Sequence, residues 1–336
     1  MKGKTLVVGD LHLTDKARDA YRFNFFKWLR RQQDKYSVAA TFLAGDLTDA
    51  KDRHSATLVN TIVSKLSSLR APVHICCGNH DYRDPETPFF RFLNHVGAGH
   101  IFFHVIPELV PVLGNVAIIP HYKTQEEFDA AVRQCSQADL FLVHQTFEGA
   151  IAESGTILSG LRASLIESLK PRLGVLAGDV HKPQRQGIVT YIGCPYHVRF
   201  GDGFTPRVLL IDEDGKKQNL YYDAPFKWSM HVTCADDVFD RYQLAEGDQV
   251  KITVNLTREE ALDWKEIKAG ILDACKEMGV DVYGCKLEID VLTAKRKIIK
   301  SETPVATFDD FCSVEKIPTT IKEVGKKIMG EDVPDK

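Results

Sequence analysis

Short apolar runs recur through roughly residues 1 to 200, and between them lie longer stretches whose apolar positions return every three or four residues. The short runs, at 5–8, 39–44, 73–77, 116–119, 140–143 and 174–177, predict strands. The longer stretches, at 21–33, 56–69 and 125–137, predict helices. Several of the short runs are aliphatic at successive positions, which suits strands buried on both faces of a helix-covered sheet. Runs at 188–193, 207–212 and 218–223 are separated by turn residues and read as antiparallel hairpin strands. The predicted class is therefore an α/β sandwich rather than a doubly wound sheet.

The texture changes near Ala224–Pro225. Residues 250–256 alternate strictly, with Val250, Ile252, Val254 and Leu256 on one face. Thr257 and Glu260 have the spacing of a capping box. The helix it would open carries Trp264, Ile267, Ile271, Cys275 and Met278 on its apolar side, and Gly279 is placed to end it. Residues 285–291 alternate again, which completes a small β-α-β module. After 303–311, Thr320 and Glu323 repeat the capping-box spacing, and Ile317, Ile321, Val324 and Ile328 line one side of a short helix. Such a stripe suits packing on its own protein or docking to a partner. The chain thus divides into 1–224, 225–297 and 298–336.

Composition changes this picture little. The chain has 336 residues, a net charge of −3 and 44% hydrophobic residues, so bulk charge selects no partner. A nucleic-acid role has to rest on local patches or bound metal. No segment approaches the ~20 apolar residues of a membrane span. The first residues run into a strand without an apolar leader, so the expectation is a cytoplasmic protein with no membrane association. Eight cysteines lack framework spacing and read as free thiols in a reducing compartment.

The chemistry lies where the runs end. LAGD occurs at 43–46 and again at 176–179, and VVGD closes the first run at 7–10. Strand ends deliver Asp10 and His12, Asp46, Asn79 and His80, His144, and Asp179 and His181. In α/β sheets ligands bind at that edge. Singly, each residue is explained by a turn, a cap or a surface histidine. Together, Asp10, His12, Asp46, Asn79, His144, Asp179 and His181 offer oxygen and nitrogen donors without a thiolate, which fits two divalent ions and argues against a structural zinc site. Glycine before four of these positions is expected to let the chain turn sharply at the sheet edge.

D-x-H, GD, GNHD, a strand-end His and a final G-x-x-H resemble the calcineurin-like metallophosphoesterase superfamily over residues 1 to about 200. HKPQ at 181–184 followed by YIGCPYHVRFGD at 191–202 is similar to the SbcD-type nucleases of double-strand-break processing, including their tailed-phage counterparts. The resemblance implies two mixed sheets flanked by helices, with the module after Pro225 as a capping domain. It also implies a C-terminal segment that binds an SMC-like ATPase of the SbcC type, and a homodimer. Asp10, His12, Asp46 and His181 would hold one ion; Asp46 would bridge to a second, shared with Asn79, His144 and residue 179. The ions would be manganese, or magnesium. His80 would act on the phosphate and leaving oxygen, with Asp81 either orienting the imidazole or serving a turn. Asp49 is a weaker candidate for substrate work than for a cap.

One position departs from the superfamily pattern G-H-x-H: the chain reads Gly178-Asp179-Val180-His181. Asp179 either replaces a nitrogen ligand with an oxygen and favours harder ions, or it marks a weak second ion in a one-metal or inactive relative. The other ligand positions carry the residue types of the pattern, which favours an active site. For nucleic acid, Arg30-Arg31, Lys182 to Arg185 and Lys295 to Lys297 are basic, and Lys182 and Arg185 adjoin the site. The reading is a metal-dependent DNA exonuclease and endonuclease of an SbcCD-like repair complex. Its rivals are a small-molecule phosphodiesterase or phosphoprotein phosphatase, and a scaffold that kept the fold and lost catalysis.

Overall fold

The computed structural model describes residues 3–95, 99–289, 308, 312 and 317–328. They fall in two units, Met1–Glu288 and Ile289–Lys336. In the larger unit, β1 (Thr5–Val8), β2 (Ala40–Leu43), β3 (Val73–Cys76) and β4 (Ile101–His104) run parallel. A second sheet is built from β5 (Glu108–Val110), β6 (Val116–Ile119), β7 (Leu140–His144), β8 (Gly174–Gly178), β9 (Gln184–Gln186) and β10 (Val189–Tyr191). Its order is β5-β6-β7-β8-β10-β9, parallel in the middle and antiparallel at both edges. The later hairpin, β11 (Val208–Ile211) and β12 (Lys217–Leu220), returns to the first sheet beside β1.

The continuous apolar runs are explained by burial on both sides. Leu6 and Val8 of β1 pack with Phe25, Phe26 and Leu29 of α1 (Asn24–Tyr36) and with Leu58 and Ile62 of α2 (Ala56–Ser67). Val7, between them, points into a core shared by the two sheets, with Phe42, Leu140, Leu142 and Leu209. In β7 the alternation repeats: Phe141 and Val143 meet Phe128 and Val132 of α3 (Gln125–Gln134) and Ile166 of α4 (Ser164–Leu169). Each such large side chain contributes ~1.5–3 kcal/mol by leaving water. The result is the α/β sandwich that the sequence predicts, two mixed sheets between helices. Its parallel strands carry their C-terminal ends to one edge.

The smaller sheet has order β13-β14-β15, from β13 (Lys227–Val232), β14 (Gln249–Leu256) and β15 (Asp281–Ile289). Two further helices belong to it, α5 (Asp236–Arg241) and α6 (Trp264–Glu277). Met230, Val232, Val250, Ile252, Val254, Ile271 and Cys275 form its core. The β-α-β expectation is corrected to β-α-β-α-β. The first strand was hidden because KWSMHV begins with a lysine, which in the fold is buried. The Thr257–Glu260 capping box forms, with Thr257 N–H donating to Glu260 Oε2 at 2.9 Å, but it opens a short 3-10 turn before α6.

In the other unit, α7 (Thr319–Ile328) begins after Pro318, whose carbonyl accepts from the N–H groups of Ile321 and Lys322. Thr320 is therefore already inside the helix and does not cap it. Lys295 to Lys297, residues 290–291, and all of 303–311 except Phe308 lie outside the described residues. Among the described residues no helix is long and apolar enough to cross a membrane. All eight cysteines are free.

Candidate metal centre

Asp10 and His12 follow β1, Asp46 follows β2, Asn79 and His80 follow β3, His144 ends β7, and Asp179 and His181 follow β8. The two sheets are stitched together at this edge: Asp179 N–H donates to Asp10 Oδ1 at 2.9 Å, and His144 Nδ1 lies 2.6 Å from the Ala44 carbonyl. The glycines act differently from expectation. Of the four that precede site residues, only Gly45 has a positive φ, +106°. The left-handed backbone falls instead on His12 (φ 42°), Asp46 (50°) and Asp179 (77°) themselves, strain of the kind held at functional sites. What Gly45 and Gly78 supply is close approach, since a Cβ on either would strike the His144 ring or Asp46 Oδ1.

Two donor groups share one carboxylate. Asp10, Asp46 and His144 offer ligand atoms within 4.8 Å of one another, and so do His12, Asp46 and His80. Because a carbonyl only accepts, the Ala44 contact fixes a proton on His144 Nδ1 and leaves Nε2 as the ring atom that a cation would take in place of a proton. That Nε2 is buried without a hydrogen-bond partner, as are Asp10 Oδ2 and Asn79 Oδ1. It faces Asp46 Oδ1 at 3.3 Å and Asp179 Oδ1 at 3.7 Å. Burial opposes a charge on His144, but the carboxylates of Asp46, Asp10 and Asp179 outweigh it and push the imidazole up to about 9. Burial, then Asp10, pushes Asp46 up. Crowded carboxylates and orphaned acceptor atoms of the hard and borderline type fit divalent cations.

His181 Nε2 and His12 Nε2 face each other at 3.0 Å, and burial, then His12, holds His181 below the usual imidazole range. His12 Nδ1 points at Asp49 Oδ1, 3.6 Å away. The Asp49 carboxyl is drawn down to about 2, first by His12 and further by Lys16. Asp49 thus faces His12 and caps no helix; the cap of α2 is Ser55, which accepts from Leu58 N–H. His80 Nδ1 contacts the Asp49 carbonyl at 2.8 Å, which turns Nε2 away from that contact. Asp81 makes no hydrogen bond to that ring. Its fully buried carboxylate accepts from the N–H groups of Gly78 (2.7 Å), Leu47 (2.9 Å) and Asp46 (3.0 Å).

Asp179 is held by two donors, Thr146 Oγ1 at 2.5 Å on Oδ2 and Asn79 Nδ2 at 3.0 Å on Oδ1. Burial works against its ionisation, but His144 and Thr146 prevail and keep it below the usual carboxylate range. The position is built for an anion, and the Asn79 amide turned toward it leaves Asn79 Oδ1 free. Lys182 follows His181, and Arg185 lies on β9 with its Nε–H donating to the Gly187 carbonyl at 3.2 Å. Thr146 and Arg22 were not legible in the sequence. Arg22 donates to the carbonyl of His12 from a fully packed position, and no motif spacing marks it.

Residues 3–155 match the calcineurin-like phosphoesterase family, a span that contains Asp10, His12, Asp46, Asn79, His80 and His144. No curated protein matches the chain. Among solved structures, one is 13% identical, covering 66% of this chain and 100% of its own, with a TM-score of 0.46. Another, described as a novel archaeal phosphodiesterase, is 12% identical, covering 65% of this chain and 99% of its own, with a TM-score of 0.37. The family match over residues 3–155, the two-sheet architecture and the shared-carboxylate donor set agree with a metallophosphoesterase fold that carries a candidate metal site at its strand ends.

Proposed function

We propose that the protein is a metal-dependent DNA nuclease, exonucleolytic and endonucleolytic, and the nuclease subunit of an SbcCD-like complex. The observation that carries the catalytic part is Asp46, which belongs to both donor groups and is flanked by His80. Asp10, His12, Asp46 and His181 would hold one divalent ion; Asp46, Asn79, His144 and Asp179 would hold the other. Manganese or magnesium suits a set with three carboxylates and an amide oxygen. Bound there, the ions would supply Lewis acidity to the phosphoryl group and acidify a water.

The chain's own residues do the rest. Asp81 fixes the turn that presents Asp46, and Thr146 fixes Asp179. His80, its Nδ1–H committed to the Asp49 carbonyl, presents Nε2 to the leaving oxygen and would hand it a proton from the imidazolium form, returning to the neutral ring. Ile321 and Val324 of α7 are each 59% exposed, which suits the C-terminal segment to a partner such as an SMC-like ATPase. The test is cleavage of end-labelled duplex DNA in manganese, with Asp46→Ala as control. Degradation that vanishes in the control supports the reading. Hydrolysis of a small phosphodiester without DNA cleavage overturns the substrate, and silence on both overturns the enzyme.

A further inference from the structure

A cleft of about 370 Å³ opens beside the metal centre and shares Asp49 with it. Its cations are Lys16, Arg18, Arg22, Arg199, Lys227 and Lys251, against the carboxylates of Asp19 and Asp49. The floor is more positive than its own pairing requires. Arg22 and Lys227 have side chains only 2% exposed, and both rest on the single carboxylate of Asp19, at 3.2 Å and 2.5 Å. Burying two cations against one anion leaves a charge that the fold does not neutralise. Moreover, the Nε atoms of Arg18 and Arg22 are buried without a hydrogen-bond partner. Phe200 gathers the rest: Lys251 Nζ lies 4.7 Å from its ring centre, Lys227 Nζ 5.6 Å and Arg18 Cζ 5.8 Å. A ring face draws cations together without using their N–H groups, so the donors stay available to an oxyanion.

Segments far apart in sequence build this cleft, among them the 3-10 turn Ala17–Phe23, the loop carrying Arg199 and Phe200, and strands β13 and β14 of the smaller sheet. Asp202 shapes the loop by accepting from the N–H groups of Val198 (2.9 Å) and Arg199 (2.8 Å). We propose that the cleft is a second phosphate subsite, which takes the phosphate of the strand next to the one at the metal centre and so selects a polynucleotide over an isolated phosphodiester. The proposal rests on the nuclease reading and adds where the neighbouring phosphate sits.

The test is binding of a dye-labelled octanucleotide to the full chain in EDTA, read by fluorescence anisotropy across a salt series. Lys251→Gln and Arg18→Gln are each expected to weaken affinity about 10-fold, the effect of losing a charge-assisted contact. Each should also reduce the slope of log affinity against log salt by about 1. In manganese, the ratio of kcat/KM on the oligonucleotide to that on bis(4-nitrophenyl) phosphate should fall by a similar factor. Variants that bind with wild-type affinity and salt slope overturn the proposal, as does wild-type binding no tighter than that of inorganic phosphate. The nuclease reading fails separately: if wild type cuts no DNA yet the octanucleotide binds through Lys251, the subsite stands and the activity does not. DNA cleavage indifferent to both variants gives the reverse.

Discussion

Asp81 tests how the centre is held, because its carboxylate is the acceptor for three backbone N–H groups, of Gly78, Asp46 and Leu47, in a fully buried position. Two of them belong to the turn that carries Asp46 at φ 50°. Asp81→Ala leaves all three without an acceptor, at ~1–3 kcal/mol each, and water entering the space brings the sum toward about 3 kcal/mol. That corresponds to a fall in Tm of roughly 4–5 °C, from the unfolding entropy of a chain of this length. Asp81→Asn keeps the shape and one acceptor oxygen, but its amide N–H group meets a backbone donor. A loss of about 1.5–3 kcal/mol is expected, that of one hydrogen bond to a charged group. Thermal unfolding in EDTA reads stability, manganese calorimetry reads the site, and hydrolysis of a small phosphodiester reads chemistry. All three are expected to fall together, because Asp46 moves. If Asp81 served the His80 imidazole instead, hydrolysis would drop while Tm and manganese affinity stayed at wild-type values, and that result would refute the reasoning.

The remaining predictions are briefer. His80→Ala should keep its manganese content and lose hydrolysis by ~10²–10⁴-fold, the range of general acid catalysis; a variant that hydrolyses normally removes the assigned role. Asp179→Ala should leave one ion per chain by elemental analysis, whereas Asp179→His should retain two; one ion in the histidine variant contradicts the ligand substitution. Gly45→Ala, at φ +106° and with a Cβ aimed at the His144 ring, should lose at least the ~1–3 kcal/mol of a strained backbone and its hydrolysis with it; an unchanged Tm would show the approach to be loose. Burial, then Arg22, pushes Lys227 down to about 8, with Asp19 opposing. The amine is therefore charged below that pH, and octanucleotide affinity should weaken as pH rises through it. A flat profile across that range counts against Lys227 as part of the cleft.

Much of the fold was legible because doubly buried parallel strands write themselves as unbroken apolar runs: β1 and β6 coincide with the predicted spans, and β2, β3, β7 and β8 differ only at their ends. Short edge strands such as β5 and β9 carry no such signature, and β13 was obscured by its leading lysine. The cluster of candidate ligands was legible for a related reason, since a strand end fixes where the next residues must lie. What holds them was not. Asp19 and Lys227 meet across 208 residues of chain, and Thr146 reaches Asp179 from beyond the end of the neighbouring strand, so no local spacing announces either contact. Charge read along the chain pointed to Lys182 and Arg185, whereas the fold collects its cations from segments that the sequence keeps apart.

The most direct test of the centre is equilibrium manganese binding to the full chain and to Asp46→Ala, with hydrolysis of a small phosphodiester measured on the same samples. A carboxylate common to both donor groups predicts two ions in the wild type, with both affinities and hydrolysis collapsing in the variant. An Asp46→Ala protein that still binds two ions and hydrolyses the ester would contradict it.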